Sequence, residues 1–204
     1  MKLIYLFFIF AFASIGIFAK PLKIYILAGQ SNMQGHASKR TLEHLAMDPK
    51  TAPLLNKIIN PDGTVRIHEN IWISSIDTSL ETGEKHGRLT VGYGAAGREP
   101  KIGPELMFGI TMQNYVGEPI LLIKTSWGGK SLNTDFRPPT AGPYEFNQKQ
   151  LENLKKRGKV LREAVAEKAK LTGVYYRLML KHINKVLSDI ERVYPTYKTE
   201  EGYE

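Results

Sequence analysis

Cysteine is absent from the 204-residue chain, and tryptophan occurs only twice. Without cysteine the chain forms no disulfide, and lipid attachment to a cysteine at a processed N-terminus is excluded. Hydrophobic residues make up 42% of the sequence, which suits a single globular domain of ordinary size and disfavours disorder. Stability must therefore come from a packed core.

Acidic residues are fewer than basic ones, 20 against 28, so the formal net charge is +8. Much of the basic excess lies in the segment Lys149–Lys170. Glu152, Glu163 and Glu167 alternate with its basic residues, which is typical of a solvated helix face. Aromatic residues do not alternate with these charges as they do in single-stranded nucleic-acid binders. We therefore expect no nucleic-acid partner.

The N-terminus carries the longest apolar segment of the chain. Lys2 precedes a mostly apolar run that extends to Ala19 and is followed by Lys20 and Pro21. This pattern predicts a secretory signal peptide, residues 1–19, cleaved after Ala19. An uncleaved anchor is the alternative, because about 20 apolar residues span a bilayer. The prediction is a secreted or periplasmic protein, residues 20–204, without stable membrane association after signal cleavage.

Three apolar segments predict strands: Leu22–Ala28, Glu69–Ile76 and Pro119–Thr125. The third is apolar throughout its centre, as parallel strands covered on both faces tend to be. Between the second and third strands, Thr82–Gly97 is dense in glycine and polar residues and predicts a loop.

Helix signals fall between and after these strands. Gly103, Pro104 and Glu105 open a helix that Gly117 ends. The segment from Phe146 to about Val193 is expected to be helical, with a break near Thr172 and Gly173. The order strand, helix, strand predicts an α/β fold.

Ser31 follows the first predicted strand directly, in the turn Gly29–Asn32. In open α/β sheets, sites form at the carboxyl ends of the strands. A serine there exposes its hydroxyl, and backbone N–H groups at a following helix can stabilise an oxyanion. Serine and asparagine are also favoured helix caps. The residues alone leave both roles open.

The segment Gly29–Gly35 resembles the nucleophile block of one branch of the SGNH hydrolases, the sialate O-acetylesterases and acetylxylan esterases. In that branch Gly-Gln-Ser replaces the more familiar Gly-Asp-Ser. Gly103–Glu105 and Lys124–Leu132 resemble two further blocks of the branch. The resemblance covers essentially all of the chain after Ala19. It implies a flavodoxin-like three-layer α/β/α sandwich with a parallel sheet.

The resemblance also implies a site and a reaction. Ser31 would be the nucleophile that removes O-acetyl groups from a carbohydrate of the acetylxylan or sialic acid type. Its own N–H would be one oxyanion donor, and Gly103 or Gly128 would supply another. No metal or organic cofactor would be needed. The same blocks assign oxyanion or substrate-binding positions to Gly29, Gln30, Asn32 and Gly129.

The sequence departs from this branch in its acid and base. The Asp-x-x-His block is absent, since no aspartate is followed three residues later by histidine. The Trp-x-Gln-Gly block is absent as well. We therefore expect a C-terminally truncated member, with the last part of the sheet missing and no activity alone. His36 is an alternative base, whereas His182 is expected at the surface or a helix flank. A non-catalytic carbohydrate-binding module with the same fold is the alternative function.

Four further side chains are candidates for contact with a sugar. Arg98 and Lys124 suit a carboxylated sugar, and Tyr93 and Trp127 suit stacking on a sugar ring. The alternatives are simple exposure for the charged residues and loop anchoring for the aromatic ones.

Overall fold

The computed structural model describes residues 20–77 and 83–204. The predicted signal peptide lies outside these residues. A four-stranded sheet has the spatial order β1 (Lys23–Gly29), β6 (Ile120–Ser126), β3 (His68–Ile76) and β4 (Glu84–Leu89). The first three strands are parallel, and β4 pairs antiparallel with β3. The sheet is therefore mostly parallel.

Helices and a small second sheet surround it. The second sheet pairs β2 (Ala37–Ser38) antiparallel with β5 (Lys101–Ile102). The 3₁₀ segments are Lys39–Met47, Pro139–Ala141 and Thr199–Glu201. The α-helices are α1 (Ser31–Gln34), α2 (Ala52–Ile58), α3 (Pro104–Val116), α4 (Gln148–Lys156), α5 (Leu161–Leu171) and α6 (Val174–Leu187).

Both faces of the sheet are covered, each by a different helix. Successive side chains of a strand point to opposite faces. On one face Ile120 and Leu122 of β6 belong to a core that includes Leu106 of α3. On the other face Leu121 and Ile123 belong to a core that includes Ile183 and Val186 of α6. The predicted three-layer α/β/α sandwich is confirmed.

The strand and helix signals in the sequence located most of these elements. Strands β1, β3 and β6 lie within one residue of their predicted bounds. Helix α3 has Gly103 as its N-cap and Gly117, with a φ of +76°, as its C-cap. The predicted break at Thr172 and Gly173 separates α5 from α6. A second break, between α4 and α5, was not predicted.

Strand β4 corrects the prediction that Thr82–Gly97 is a loop. Its sequence is charged and contains Gly87, so it lacks the apolar alternation of a half-buried strand. It is nevertheless a strand, because it lies at the sheet edge and pairs through its backbone with β3 alone. The predicted parallel sheet therefore has an antiparallel edge strand.

The outer edge of β1 is partly paired. Leu22 N–H and Ile24 N–H donate to the carbonyl oxygens of Gly202 and Glu204, at 3.0 and 2.9 Å. Further along the strand, the side chain of Ile26 is 51% exposed.

In the two described ranges, no helix combines the length and the apolarity needed to cross a membrane.

Candidate active site

Ser31 is the first residue of α1, a single helical turn directly after β1. The turn is closed by Gln34 N–H donating to Gln30 O at 2.8 Å and by Gly35 N–H donating to Ser31 O at 3.1 Å. The first amides of a helix have no acceptor within it, and the amide of Ser31 is among them. Ser31 therefore lies at the carboxyl edge of the parallel strands, as predicted.

The Ser31 hydroxyl donates to Gln30 Oε1 at 2.5 Å. The N-cap of α1 is Gln30, so Ser31 is not the helix cap that its residue type also suggested. In residues 20–77 and 83–204, no histidine or carboxylate hydrogen-bonds to the Ser31 hydroxyl. His36 is nevertheless a neighbour: it lines the same cavity of about 390 Å³. The other lining residues are Asn32, Gly35, Ala37, Ile102 and Gly103.

The loop after β6 lies beside Ser31. Trp127 N–H donates to Gly29 O at 3.3 Å and ties this loop to the end of β1. A Cβ atom at Gly128 would lie 2.9 Å from Gln34 Oε1 and 3.9 Å from Ser31 Cβ. The Gly128 backbone therefore lies in van der Waals range of the serine, and a side chain at this position would first displace the Gln34 amide.

The two predicted second oxyanion donors differ in their hydrogen bonds. Gly103 N–H donates to Glu105 Oε1 at 2.9 Å, so this amide already has an acceptor inside the protein. The described residues contain no such acceptor for the Gly128 amide. Gly128 is therefore the better-placed candidate of the two.

The remaining predicted site residues lie around the same turn. Asn32 is exposed and lines the cavity. Gly29 packs closely, because a Cβ there would lie 2.8 Å from Met33 Cβ. Gly129 is exposed at the outer side of the loop after β6, and no side chain approaches the position of its missing Cβ.

Lys124 is not available to a sugar, because its side chain is fully buried. Its ammonium donates to Glu105 Oε2 at 2.6 Å, to Tyr93 O at 2.7 Å and to Gln34 O at 3.0 Å. Burial lowers the pKa of Lys124, and the adjacent Glu105 carboxylate opposes that shift. Both alternatives for Lys124, contact with a carboxylated sugar and simple exposure, are wrong. Arg98, in contrast, is exposed.

The two candidate aromatic residues anchor loops. Trp127 is 3% exposed and packs against Phe136 and Tyr175, with ring centroids 6.0 and 5.2 Å apart. Tyr93 is 4% exposed, and burial raises its pKa to about 12. A ring that is buried on both faces offers no platform to a sugar.

A second buried polar cluster lies on the far side of the sheet from α3. Ser74 donates to Glu84 Oε1 at 2.8 Å and lies 3.1 Å from His182 Nε2. Glu84 also accepts from Arg192 at 2.7 Å and from Lys185. Because Ser74 gives its one proton to Glu84, it accepts from His182, so His182 carries its proton on Nε2. His182 is 1% exposed, so its predicted surface position is wrong.

Burial lowers the pKa of His182. The hydrogen bonds from Arg192, Lys185 and Ser74 outweigh burial at Glu84 and lower the pKa of this carboxyl to about 2. The histidine is therefore neutral and the glutamate ionised near neutral pH. In the described part of the chain, no group of three or more acidic or histidine side chains is placed to hold a metal ion.

Sequence comparison assigns the family. The family model for "Carbohydrate esterase, sialic acid-specific acetylesterase" matches residues 21–174, a range that contains every candidate site residue. The fold is a mostly parallel α/β sandwich, and the Ser31 turn follows the carboxyl end of strand β1. The chain belongs to this carbohydrate esterase family.

One solved structure is similar to the chain over part of its length. A protein of Arabidopsis thaliana, known from an X-ray structure at 1.6 Å resolution, is 18% identical with a TM-score of 0.32. The match covers 74% of this chain and 50% of that protein, so the chain spans about half of its length. No protein with a curated description matches.

Proposed function

We propose that this protein removes O-acetyl groups from carbohydrates through an acetyl ester on Ser31. The observation that carries the proposal is the position of Ser31, on a one-turn helix at the carboxyl ends of parallel strands, with the Gly128 backbone beside it. This arrangement offers a half-buried hydroxyl and backbone amides to a carbonyl group. Membership of the carbohydrate esterase family supports it.

The proposed reaction has two steps. Ser31 Oγ bonds to the acetyl carbonyl carbon, the bond to the sugar oxygen breaks, and the serine proton passes to that oxygen. Water then attacks the acetyl-serine, which releases acetate and returns a proton to Ser31. The amides of Ser31 and Gly128 stabilise the oxyanion in both steps.

The reaction needs a base for the serine proton. His36, the alternative base named from the sequence, is the candidate in the described residues, because it lines the same cavity as Ser31. Activity that depends on His36 would contradict the expectation that the chain is inactive alone. Rotation of the Ser31 hydroxyl away from Gln30 would be the first requirement. If His36 is the base, replacing it with glutamine lowers activity by about two to four orders of magnitude.

The test is acetate release from 4-nitrophenyl acetate, acetylated xylan and O-acetylated sialic acid. Ser31→Ala is expected to lower activity by about three orders of magnitude or more. Ser38→Ala is the matched control, because Ser38 caps the neighbouring 3₁₀ segment through Arg40 N–H and does not line the cavity. Equal activity in the parent protein and Ser31→Ala would refute the proposal.

A non-catalytic carbohydrate-binding module is a second candidate. The hydrogen bond from Ser31 to Gln30 favours it, because that serine is not held by a base. In this case Ser31→Ala would bind acetylated xylan as tightly as the parent protein does, and neither would release acetate.

We also propose that the protein is exported. The support is Lys2 followed by the apolar run that ends at Ala19. N-terminal sequencing of protein recovered outside the cytoplasm is expected to begin at Lys20. An N-terminus at Met1 would contradict cleavage.

A further inference from the structure

Lys124 is a charged residue in the middle strand of the parallel part of the sheet. It pairs in register with Leu27 on β1 and with Ser75 on β3, and its side chain has no exposed surface. A buried ammonium is costly unless every proton finds an acceptor. Because an apolar residue would fill this position without that free-energy cost, Lys124 is expected to have a role beyond core packing.

The three protons of Lys124 have three acceptors, each in a different chain segment. Glu105 Oε2 belongs to α3, Tyr93 O to the glycine-rich loop, and Gln34 O to the turn that contains Ser31. All three distances lie between 2.6 and 3.0 Å, so the donor capacity of the ammonium is used completely. Lys124 therefore joins three chain segments at this edge of the sheet.

The hydrogen bond from Lys124 to Gln34 O acts on the Ser31–Gly35 turn, called here the nucleophile turn. Gln34 is the last residue of the single turn that starts at Ser31. A helix of one turn has little stability of its own, so contacts from outside determine its position. The side chain of Gln34 also lies against Gly128, 2.9 Å from where a Cβ of that glycine would be.

Glu105 holds the other side of the same turn. Its Oε1 accepts from Gly103 N–H at 2.9 Å while Oε2 accepts from Lys124. The Gly103 backbone touches the turn closely, because a Cβ at Gly35 would lie 2.2 Å from Gly103 Cα. The carboxylate therefore fixes the backbone against which the nucleophile turn rests.

We infer that Lys124 and Glu105 are positioning residues, a buried ion pair that holds the Ser31–Gly35 turn against Gly128 and Gly103. The inference rests on the proposed function, because it assigns the pair a role in presenting Ser31 to an acyl group. Neither residue touches the substrate. A displacement of about 1 Å at a reacting group can cost about 100-fold in rate, so the pair acts on catalysis through geometry.

The experiment follows the rate at which an alkyl fluorophosphonate labels the protein, read by intact mass and resolved into probe affinity and limiting rate. The variants are Lys124→Met, Glu105→Gln and the double variant, in which neither residue carries a charge. Glu84→Gln is the control, because Glu84 is also a mostly covered carboxylate in an ion cluster but lies on β4, three strands from β1. All rates are taken at a temperature where circular dichroism shows the folded state.

The expected result is a limiting rate lowered at least about tenfold in Lys124→Met and in the double variant, with probe affinity unchanged. The control is expected to label at the parent rate. The double variant should unfold at a higher temperature than Lys124→Met, because it leaves no unpaired buried charge, and yet label no faster.

Three outcomes would overturn the inference, and they separate its failure from that of the proposed function. Labelling that recovers together with stability in the double variant, or parent rates in the folded single variants, would make the pair merely structural and leave the proposed function intact. A parent protein that takes no label at Ser31 would refute the proposed function, and this inference with it.

Discussion

Two clusters of ionic side chains occupy the described part of this domain: a fully buried one around Lys124 on β6 and a partly exposed one around Glu84 on β4. The Lys124 cluster bonds mainly to backbone: two of its acceptors are carbonyl oxygens, and its carboxylate accepts from the Gly103 amide. The Glu84 cluster bonds side chain to side chain and joins β3 and β4 to α6 and the segment after it. The first fixes loop positions, whereas the second joins regular elements.

This difference predicts that the Lys124 cluster acts on the candidate site, whereas the Glu84 cluster acts on the stability of the fold. Loops have few bonds of their own, so a charge that binds their carbonyl groups determines where they lie. Strands and helices already satisfy their backbone groups, so a cluster between them adds stability and leaves their shape unchanged. We expect changes at Lys124 to alter both folding and Ser31, and changes at Glu84 to alter folding alone.

The largest expected effect comes from Gly35, the last residue of the Ser31–Gly35 turn, which packs against the Gly103 backbone. Gly35 has a φ of +82°, and an added Cβ would lie 2.2 Å from Gly103 Cα. Because backbone cannot move aside as a side chain does, Gly35→Ala is expected to lower the free energy of unfolding by about 4 kcal/mol or more. Urea unfolding measures it, with Gly63→Ala as control, since its added Cβ meets no atom within 4 Å and its φ is +80°. Equal losses of unfolding free energy in both variants would show that the close packing of Gly35 against Gly103 adds nothing to stability.

The Lys124→Met variant is expected to lose about 3–5 kcal/mol, because Glu105 is left buried without its cation. Chemical denaturation of parent and variant gives the difference in the free energy of unfolding. A loss below about 1 kcal/mol would show that the ion pair is accessible to water, contrary to its burial in the structure.

Replacing Glu84 with glutamine is expected to cost less, about 1–3 kcal/mol, because Glu84 is 9% exposed and its partner Lys185 is 49% exposed. Lys185 can turn to water when the carboxylate is neutralised. The same denaturation series reports this loss, and acetate release should stay at the parent value. Lost acetate release in a folded Glu84→Gln protein would break the distinction between the two clusters.

Acidification is expected to act on the Glu84 cluster through two groups. The folded-state pKa of His182 lies below its usual 6.5, so the unfolded chain binds the proton first and stability falls as the pH drops below about 6.5. The folded pKa of Glu84 is about 2 against 4.5, so its contribution is present above pH 4.5 and is lost between about 4.5 and 2. The charged side chains that act on His182 are those of Glu84, Lys185 and Arg192.

Thermal unfolding between pH 7 and pH 5 tests the histidine part. His182→Asn should flatten the pH dependence in this range, and His44→Asn should leave it unchanged. An unchanged slope in His182→Asn would assign the pH dependence to another group.

Local signals in the sequence predicted much of the fold. Proline and glycine mark both ends of α3, and uninterrupted apolar runs mark β1 and β6, so these elements lie where expected. The antiparallel strand β4 was not predicted, because an edge strand needs only backbone pairing and tolerates charged side chains. Its pattern therefore resembles that of a loop.

The site was predictable in part. The turn around Ser31 and the glycine after Trp127 follow from motifs close in sequence, and they meet because parallel strands end at the same edge. The role of Lys124 depends on Glu105, Tyr93 and Gln34, which are 19, 31 and 90 residues away, and two of these contacts are to backbone carbonyls. No local pattern reveals such partners.

His182 did have a usable signal. It lies between Met179, Ile183 and Val186, which are spaced as one apolar face of a helix. A histidine on that face is expected to be buried, with a partner on the sheet.

The central claim is that Ser31 is the group that accepts the acyl moiety, and chemical modification tests it most directly. The protein is treated with an alkyl fluorophosphonate, digested, and the modified peptide is identified by mass spectrometry. The account predicts one adduct, on Ser31, that is absent from Ser31→Ala. No adduct, or an adduct of equal yield in Ser31→Ala, would contradict it.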